Sequence, residues 1–258
     1  MNMRFAVAAT IVASAPLVFA PPRACLAQSA AEHIALGDKD HAVGNAMSAM
    51  KHYQEAVQAD EKSAEALWRA SVEAVDLGEF NDAKRDSLYK VGEDYARRAV
   101  AADPKSAKAH FALAKAIGRR ALSLGTRERI KYANAVHEEA TQSMTLDSIN
   151  PGAMHVLGLW HANIMRLNGV ERFFAKNLLG GKTFGEASWN DAAKFLERAS
   201  ALEPDRIVHA LDLAGVYRDR DEKTKAREQY QRALSLKAVE YNDKSYQAKA
   251  QKELSEIK

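Results

Sequence analysis

The chain has very little cysteine and proline. One cysteine, Cys25, and six prolines occur in 258 residues. A single cysteine cannot form a disulfide bond within the chain or build a cysteine-based zinc site, and Cys25 lies in a leader segment rather than in the body of the sequence. The folded part is therefore expected to be stabilised by side-chain packing and to carry no thiol chemistry.

The chain also has no large excess of charge of either sign. The 37 basic and 34 acidic residues give a formal net charge of +3, so the overall balance points neither to a nucleic-acid partner nor to an anionic membrane surface. The apolar fraction of 47% and the charged fraction of 28% are ordinary for a globular protein. Disorder over most of the chain is excluded.

The first residues have the pattern of an export signal. Arg4 precedes an almost wholly apolar stretch at residues 5–20, which is shorter than the roughly 20 residues that a helix needs to span a bilayer. Cys25 and Ala27 place small side chains before a cleavage point. We predict a signal peptide at residues 1–27, removed after Ala27, and an exported protein that is periplasmic in a Gram-negative-like envelope, or secreted.

Two alternatives to simple cleavage remain open. The segment could be retained as a membrane anchor, although prolines interrupt it. Cys25 could instead be a bacterial lipid-attachment site. The residues before it, Pro22, Arg23 and Ala24, are unlike the small apolar sequence that such sites carry.

Helical periodicity dominates the rest of the chain. Pro104, Pro151 and Pro204 are the only prolines beyond the leader, and each lies between two helix-like stretches. Residues 207–238 match a helix-turn-helix unit of the tetratricopeptide type, in which small residues allow two helices to approach and larger ones fill the gap to the next unit. No segment alternates in the manner of a β-strand.

The same pattern recurs upstream. It predicts an all-α, tetratricopeptide-like solenoid of helical hairpins, with a long insertion and a C-terminal capping helix. The approximate units are 31–61, 64–104, 107–148, 151–204 and 207–238, and the capping helix is 242–257.

Several short motifs lie in a fixed order from residue 66 onwards. They are ALWR at 66–69, HVLGLW at 155–160, VER at 170–172, LLGG at 178–181 and WNDAAKFL at 189–196. Their order resembles the regulators of microtubule dynamics, a tetratricopeptide-like family with bacterial relatives. The resemblance implies an all-helical solenoid with a binding role and, in the animal members, an association with microtubules. An exported bacterial protein would meet no microtubule, so the fold is carried over and the ligand is not.

The inner wall of the solenoid is the predicted binding surface. Fixed positions on the first helix of each unit turn away from the second helix and face the concave groove. Aromatic surface flanked by cations would suit an extended peptide with an acidic group or a free carboxylate, although several of these residues could simply pack against neighbouring units. The predicted groove residues are Trp68, Lys108, Phe111, Lys115, Arg119, His155, Leu159, Asn163, Leu211 and Arg218.

The insertion at residues 167–188 carries an apolar stripe at helical spacing, formed by Val170, Phe173, Phe174, Leu178 and Leu179. The stripe could contact a membrane or a partner. Alternatively it folds onto its own solenoid and closes part of the groove, and the chain then carries a small lipid-like ligand beneath it.

No motif for catalysis, metal binding or cofactor binding is present. The six-residue spacing of His155 and His161 points them to different sides of a helix. The GGKT sequence at 180–183 lacks the first glycine of a phosphate-binding loop, because Lys176 occupies that position. We therefore predict a non-enzymatic protein with no catalytic residues, no metal ligands and no cofactor.

Overall fold

The computed structural model describes residues 29–178 and 183–257, and within these ranges the chain forms α-helices, one short 3-10 helix and no β-strand. The all-α prediction is confirmed. The predicted signal peptide at 1–27 lies outside the described residues. In the described part, no helix is both long and apolar enough to cross a membrane.

Twelve α-helices follow one another along the described ranges. Helices pair as hairpins, α1 with α2, α3 with α4, α5 with α6, and α10 with α11. α7 pairs with α9, because α8 lies in the insertion between them, and α12 follows the last pair. The helices are α1 (Ala30–His41), α2 (Ala46–Ala59), α3 (Ala64–Gly78), α4 (Arg85–Ala102), α5 (Ala107–Leu122), α6 (Thr126–Leu146), α7 (Pro151–Met165), α8 (Gly169–Leu178), α9 (Trp189–Leu202), α10 (Ile207–Asp219), α11 (Lys223–Ser235) and α12 (Asp243–Glu256), with the 3-10 helix Thr183–Glu186 between α8 and α9.

Short polar side chains fix where the hairpins begin. Ser63, Ser106, Asn150 and Ser188 precede α3, α5, α7 and α9, and the side-chain oxygen of each accepts a hydrogen bond from a backbone N–H in the first turn, at 3.0–3.2 Å. Each cap of this kind stabilises a helix by about 1 kcal/mol. Pro151 follows its cap at the first helical position, where its missing N–H costs nothing.

Small residues allow the two helices of a hairpin to touch. A Cβ atom on Gly158 of α7 would lie 2.7 Å from Cγ of Leu196 and 3.1 Å from the carbonyl oxygen of Ala192, both on α9. Gly92 of α4 faces Val75 of α3 with a similar clearance, 2.8 Å from its Cγ2. The alanines at these crossings, such as Ala199, are fully buried. The backbones therefore approach more closely than larger side chains would permit.

The insertion between α7 and α9 is tied to the solenoid at its beginning and its end. Arg172 of α8 donates from Nη2 to the carbonyl oxygens of Met165 and Leu167, at 2.7 and 3.1 Å. Phe184 of the 3-10 helix is buried and stacks on Trp160 with ring centroids 6.2 Å apart.

Only part of the predicted apolar stripe lies among the residues that the structure describes. Val170 and Phe173 are mostly exposed, whereas the side chains of Phe174 and Leu178, and all of Leu179, lie outside the described residues. Contact of the stripe with a membrane or with a partner therefore stays a prediction.

The C-terminal segment turns back to the beginning of the solenoid. Nδ2 of Asn242 donates to the carbonyl oxygen of Asp76 in α3 at 2.8 Å, across 166 residues of sequence. The ring of Tyr246 in α12 packs edge-on against Phe80, with centroids 5.4 Å apart. Together with the turn at Gly44, which lies against the backbone of residue 239, these contacts close the concave side of the solenoid.

The contact at Gly158 gives a stability test with a matched control. We expect Gly158→Ala to destabilise the fold by about 1–3 kcal/mol, because the added methyl group has no room between α7 and α9, although alanine is the better helix former. Gly185→Ala is the control, since its Cβ would meet no atom within 4 Å. Urea unfolding measures both variants. Equal or greater stability of the Gly158 variant would contradict the packing described.

Candidate functional site

The concave side holds a partly open cavity of about 350 Å³. Its walls come from α3, α5 and α7, which are the first helices of three successive hairpins, and from α6. Residues 239–246 and the beginning of α10 complete the wall on the remaining side. The volume is in the range of sites that hold a small molecule or a short peptide segment.

Eight of the ten predicted groove residues line this one cavity, so the register assigned to the first helices of three hairpins places them on the inner wall. Their participation in binding stays a prediction. The eight are Trp68, Lys108, Phe111, Lys115, Arg119, His155, Leu159 and Asn163.

Leu211 and Arg218 do not line the cavity, and their predicted position on an open groove is wrong. Leu211 is 1% exposed and belongs to the core that α10 shares with α12. Arg218 donates from Nη1 to Glu253 of α12 at 2.8 Å. The capping helix lies against α10 and covers the face that α10 would otherwise present to the groove.

One wall of the cavity is apolar. It is formed where the end of α5, the beginning of α6 and the end of α7 meet, and Trp160 is fixed there by a hydrogen bond from Nε1 to the carbonyl oxygen of Ala133, at 2.8 Å. Phe111 packs against the start of α7, where a Cβ on Gly152 would be 2.5 Å from its ring. The apolar wall consists of Ile130, Ala133, Val136, Trp160, Ile164 and Leu167.

Two of the predicted cations are already neutralised by partners from α3 and the residue after it. Nζ of Lys115 lies 2.7 and 2.9 Å from the two carboxylate oxygens of Asp76. Arg119 pairs with Glu79 at 2.7 Å. Burial opposes the charge on Arg119, but Glu79 outweighs it, and the pKa of the guanidinium is raised. These two side chains hold α5 to the α3 hairpin and are not free to bind an anion.

A second pair, His41 and Glu73, lies where α1 meets α3, with 2.8 Å between His41 Nδ1 and Glu73 Oε2. The hydrogen bond to Glu73 raises the pKa of His41. Burial raises the pKa of Glu73 despite this partner. Arg206 forms an ion pair with Glu240 nearby and so fastens the closing segment to the start of α10.

Two histidines meet between α7 and α10. Nδ1 of His155 lies 2.7 Å from Nδ1 of His209, so one of the two must donate and the other accept. Their Nε2 atoms face carboxylates, His155 toward Asp212 at 3.0 Å and His209 toward Glu203 at 2.9 Å. Burial would raise the pKa of Asp212, but His155, whose Nε2 lies 3.0 Å away, outweighs it and holds that pKa well below its usual range.

Two further cations of the cavity have no carboxylate within 4.0 Å among the described residues. Lys108 lies at the exposed edge. The pKa of Glu203 is lowered chiefly by its hydrogen bond with His209, and the charge of Lys108 adds to this from a distance. Arg129 of α6 adjoins the apolar wall, and its Nε atom is buried without a hydrogen-bond partner in the described part of the chain. The sequence prediction missed Arg129 because it lies on the second helix of its unit, whereas groove positions were assigned to first helices alone.

The comparisons with known proteins agree with this architecture. The family model for regulator of microtubule dynamics protein 1-3 matches residues 29–258. The chain belongs to this family. The suspected resemblance is thereby confirmed.

Two curated relatives match part of the chain. Regulator of microtubule dynamics protein 1 of Bos taurus is 26% identical over 169 residues, which are 64% of this chain and 53% of that protein. The Mus musculus protein of the same name is 24% identical over 169 residues, 64% of this chain and 55% of that protein. The chain thus spans about half the length of the curated relatives it matches.

Solved structures show the fold. The thermophilic tetratricopeptide protein TTC0263 of Thermus thermophilus aligns with a TM-score of 0.62 at 19% identity, covering 86% of this chain and 98% of that one. The pilF protein of Pseudomonas aeruginosa aligns at 0.50 with 16% identity, covering 88% and 91%. The predicted tetratricopeptide-like solenoid is therefore confirmed, and this fold is one that serves as a scaffold for protein interactions.

The histidine pair gives the fold a specific sensitivity to acid. Burial lowers the pKa of His209 from 6.5 to about 4, against the hydrogen bond to Glu203 and together with the nearby charges of His155 and Arg206. Because the unfolded chain binds this proton more readily, the contribution of His209 to stability falls as the pH drops below 6.5 and levels off near 4.

We therefore expect the wild-type chain to lose about 2 kcal/mol more stability between pH 7 and pH 5 than His209→Gln loses. Urea unfolding at the two pH values measures this difference. If both chains show the same pH dependence, the buried neutral state of His209 is contradicted.

Proposed function

We propose that this protein is a non-catalytic binding protein whose cavity takes the carboxyl-terminal segment of a partner protein. The observation that carries the proposal is the pairing of an apolar wall with an adjoining cation, Arg129, that has no carboxylate partner in the described ranges. A free carboxylate with an apolar side chain beside it complements such a surface.

Closure of the concave side favours a chain end over an internal segment. In an open solenoid a long peptide can run along the groove and leave at both ends. Here residues 239–246 contact α3 and the turn at Gly44, and so stand across that path. A chain terminus can enter such a cavity without passing through it.

The distribution of charge in the cavity favours the binding of an anion next to Arg129. Lys115 and Arg119 are satisfied by Asp76 and Glu79 and would lose those pairs on binding anything else. Arg129 keeps a buried Nε without a partner in the described residues. A carboxylate that reaches it would gain charge-assisted hydrogen bonds in a partly desolvated site.

A second candidate function is the binding of a small amphipathic anion such as a lipid-like carboxylate. The size of the cavity and the wall that includes Val136, Trp160 and Ile164 favour it. Two described residues of the insertion take part: Leu167 lines the cavity, and Phe184 stacks behind Trp160. Both candidates use Arg129, so one set of variants serves to compare them.

The place of action is proposed from the leader. Residues 1–27 have the pattern of a signal peptide, and we propose that the partner is met in the cell envelope or outside the cell. The test is the intact mass of the protein recovered from the periplasm of a Gram-negative host. The mass should equal that of a chain that begins at Gln28. Retention of the leader in the cytoplasm would count against export.

Trp68 and Trp160 both line the cavity, so tryptophan fluorescence reports its occupation. We expect selection from a library of peptides with free carboxyl termini to yield binders whose affinity falls at least tenfold when the terminus is amidated, because the charge-assisted hydrogen bonds are lost. Arg129→Gln should weaken binding of the free-acid peptide to a similar extent.

The matched control is Lys131→Gln, which removes one positive charge from the exposed side of α6, where Lys131 pairs with Glu128. It should leave affinity within about twofold. The second candidate would be established instead if the wild type binds a fluorescent fatty acid tightly, Arg129→Gln loses this binding, and no peptide binds. Peptide binding that ignores both amidation and Arg129→Gln would contradict the proposed site.

A further inference from the structure

A group of potential metal ligands lies on the first hairpin, apart from the cavity. His33 projects from α1, and His52 and Glu55 project from α2 one turn apart, so that both meet the same face of α1. One ligand atom from each of the three lies within 4.8 Å of the others. None of the three lines the cavity described above.

The distances suit a small tetrahedral ion. Nδ1 of His33 and Nδ1 of His52 lie 3.1 and 3.2 Å from the same carboxylate oxygen, Oε2 of Glu55. Ligands bound to zinc at about 2.0–2.2 Å in tetrahedral geometry stand about 3.3–3.5 Å from one another. Two of the three separations therefore require movements of only a few tenths of an ångström.

The nitrogen of His33 is not satisfied by the carboxylate. Although it lies 3.1 Å from Glu55, Nδ1 is buried and has no hydrogen-bond partner among the described residues, because the atoms are poorly aligned for a hydrogen bond. The nitrogen is therefore available to a cation bound close to the other two ligands.

The surroundings supply an outer carboxylate. Nε2 of His52 lies 3.6 Å from Oδ2 of Asp40, and Nδ1 forms a hydrogen bond with Oε2 of Glu55 at 3.2 Å. A cation bound at this point would replace the proton between Nδ1 and Glu55, and the remaining ring proton would lie on Nε2, facing Asp40. Metal-binding histidines are commonly oriented in this way. Lys51 approaches the other oxygen of Glu55, Oε1, at 3.8 Å and leaves Oε2 facing the histidines.

We propose that His33, His52 and Glu55 form a binding site for a divalent transition-metal ion of the zinc type, with the fourth position open to water. Two imidazoles and one carboxylate are a ligand set that zinc accepts. The ion would fasten α1 to α2 at the start of the solenoid and so stabilise the first hairpin. The sequence alone led to the opposite expectation, because the histidine of α1 is separated from the other two ligands by a turn whose geometry the spacing does not reveal.

Zinc and cobalt, added to the chain purified without a histidine tag, test the site. Calorimetry should find one Zn²⁺ per chain, and Co²⁺ should give the visible absorption of a tetrahedral ion. Zn²⁺ should also raise the melting temperature of the wild type. His33→Gln and Glu55→Gln should each weaken Zn²⁺ binding at least tenfold and abolish both the absorption and the rise in melting temperature.

Asp40→Asn leaves the three ligands in place and should weaken Zn²⁺ binding about 10–100-fold, as expected for an orienting partner. The matched control is Glu138→Gln, which makes the same change as Glu55→Gln at an exposed position of α6 and should bind Zn²⁺ as the wild type does. Circular dichroism without metal establishes that each variant is folded. Absence of Zn²⁺ binding, or binding that His33→Gln and Glu55→Gln leave unchanged, would overturn the proposal.

Discussion

The contact between residues 239–246 and α3 is the constraint on which the cavity depends. Hairpin stacking alone produces a curved wall that is open along one side. The hydrogen bond from Asn242 to Asp76 and the packing of Tyr246 on Phe80 join two points that are 166 residues apart. Joining two points so far apart in a flexible chain costs conformational entropy. Most of that entropy is already lost when the intervening hairpins fold. Closure therefore turns a groove into a bounded cavity.

Closure also determines which charges are free. Segments brought together at the centre of the molecule carry carboxylates and cations in close proximity, and most of them pair, as Lys115 does with Asp76 and Arg206 with Glu240. Leaving a buried charge unpaired is costly. Arg129, whose Nε is buried without a partner among the described residues, lies beside the apolar wall and gives it a point of recognition for an anion.

The features that the sequence predicts are those that depend on local patterns. Helical periodicity and the alternation of small and large residues determine the hairpins and their register, and that register puts Trp68, Phe111 and His155 on the inner wall. Leu211 and Arg218 follow the same register, yet the docking of α12 covers them, and no local pattern indicates where a terminal helix docks. The ion pair between Arg119 and Glu79 links two hairpins, so the sequence of either hairpin alone does not predict it.

A double-mutant cycle on Phe80 and Tyr246 tests the closure most directly. The stabilities of Phe80→Ala, Tyr246→Ala and the double variant, measured by urea unfolding, give the interaction energy between the two rings independently of their other contacts. The closed solenoid predicts a coupling of about 0.5–1.5 kcal/mol for this edge-on pair. Strict additivity of the two substitutions would contradict it, because residues on the separated ends of an open solenoid do not interact.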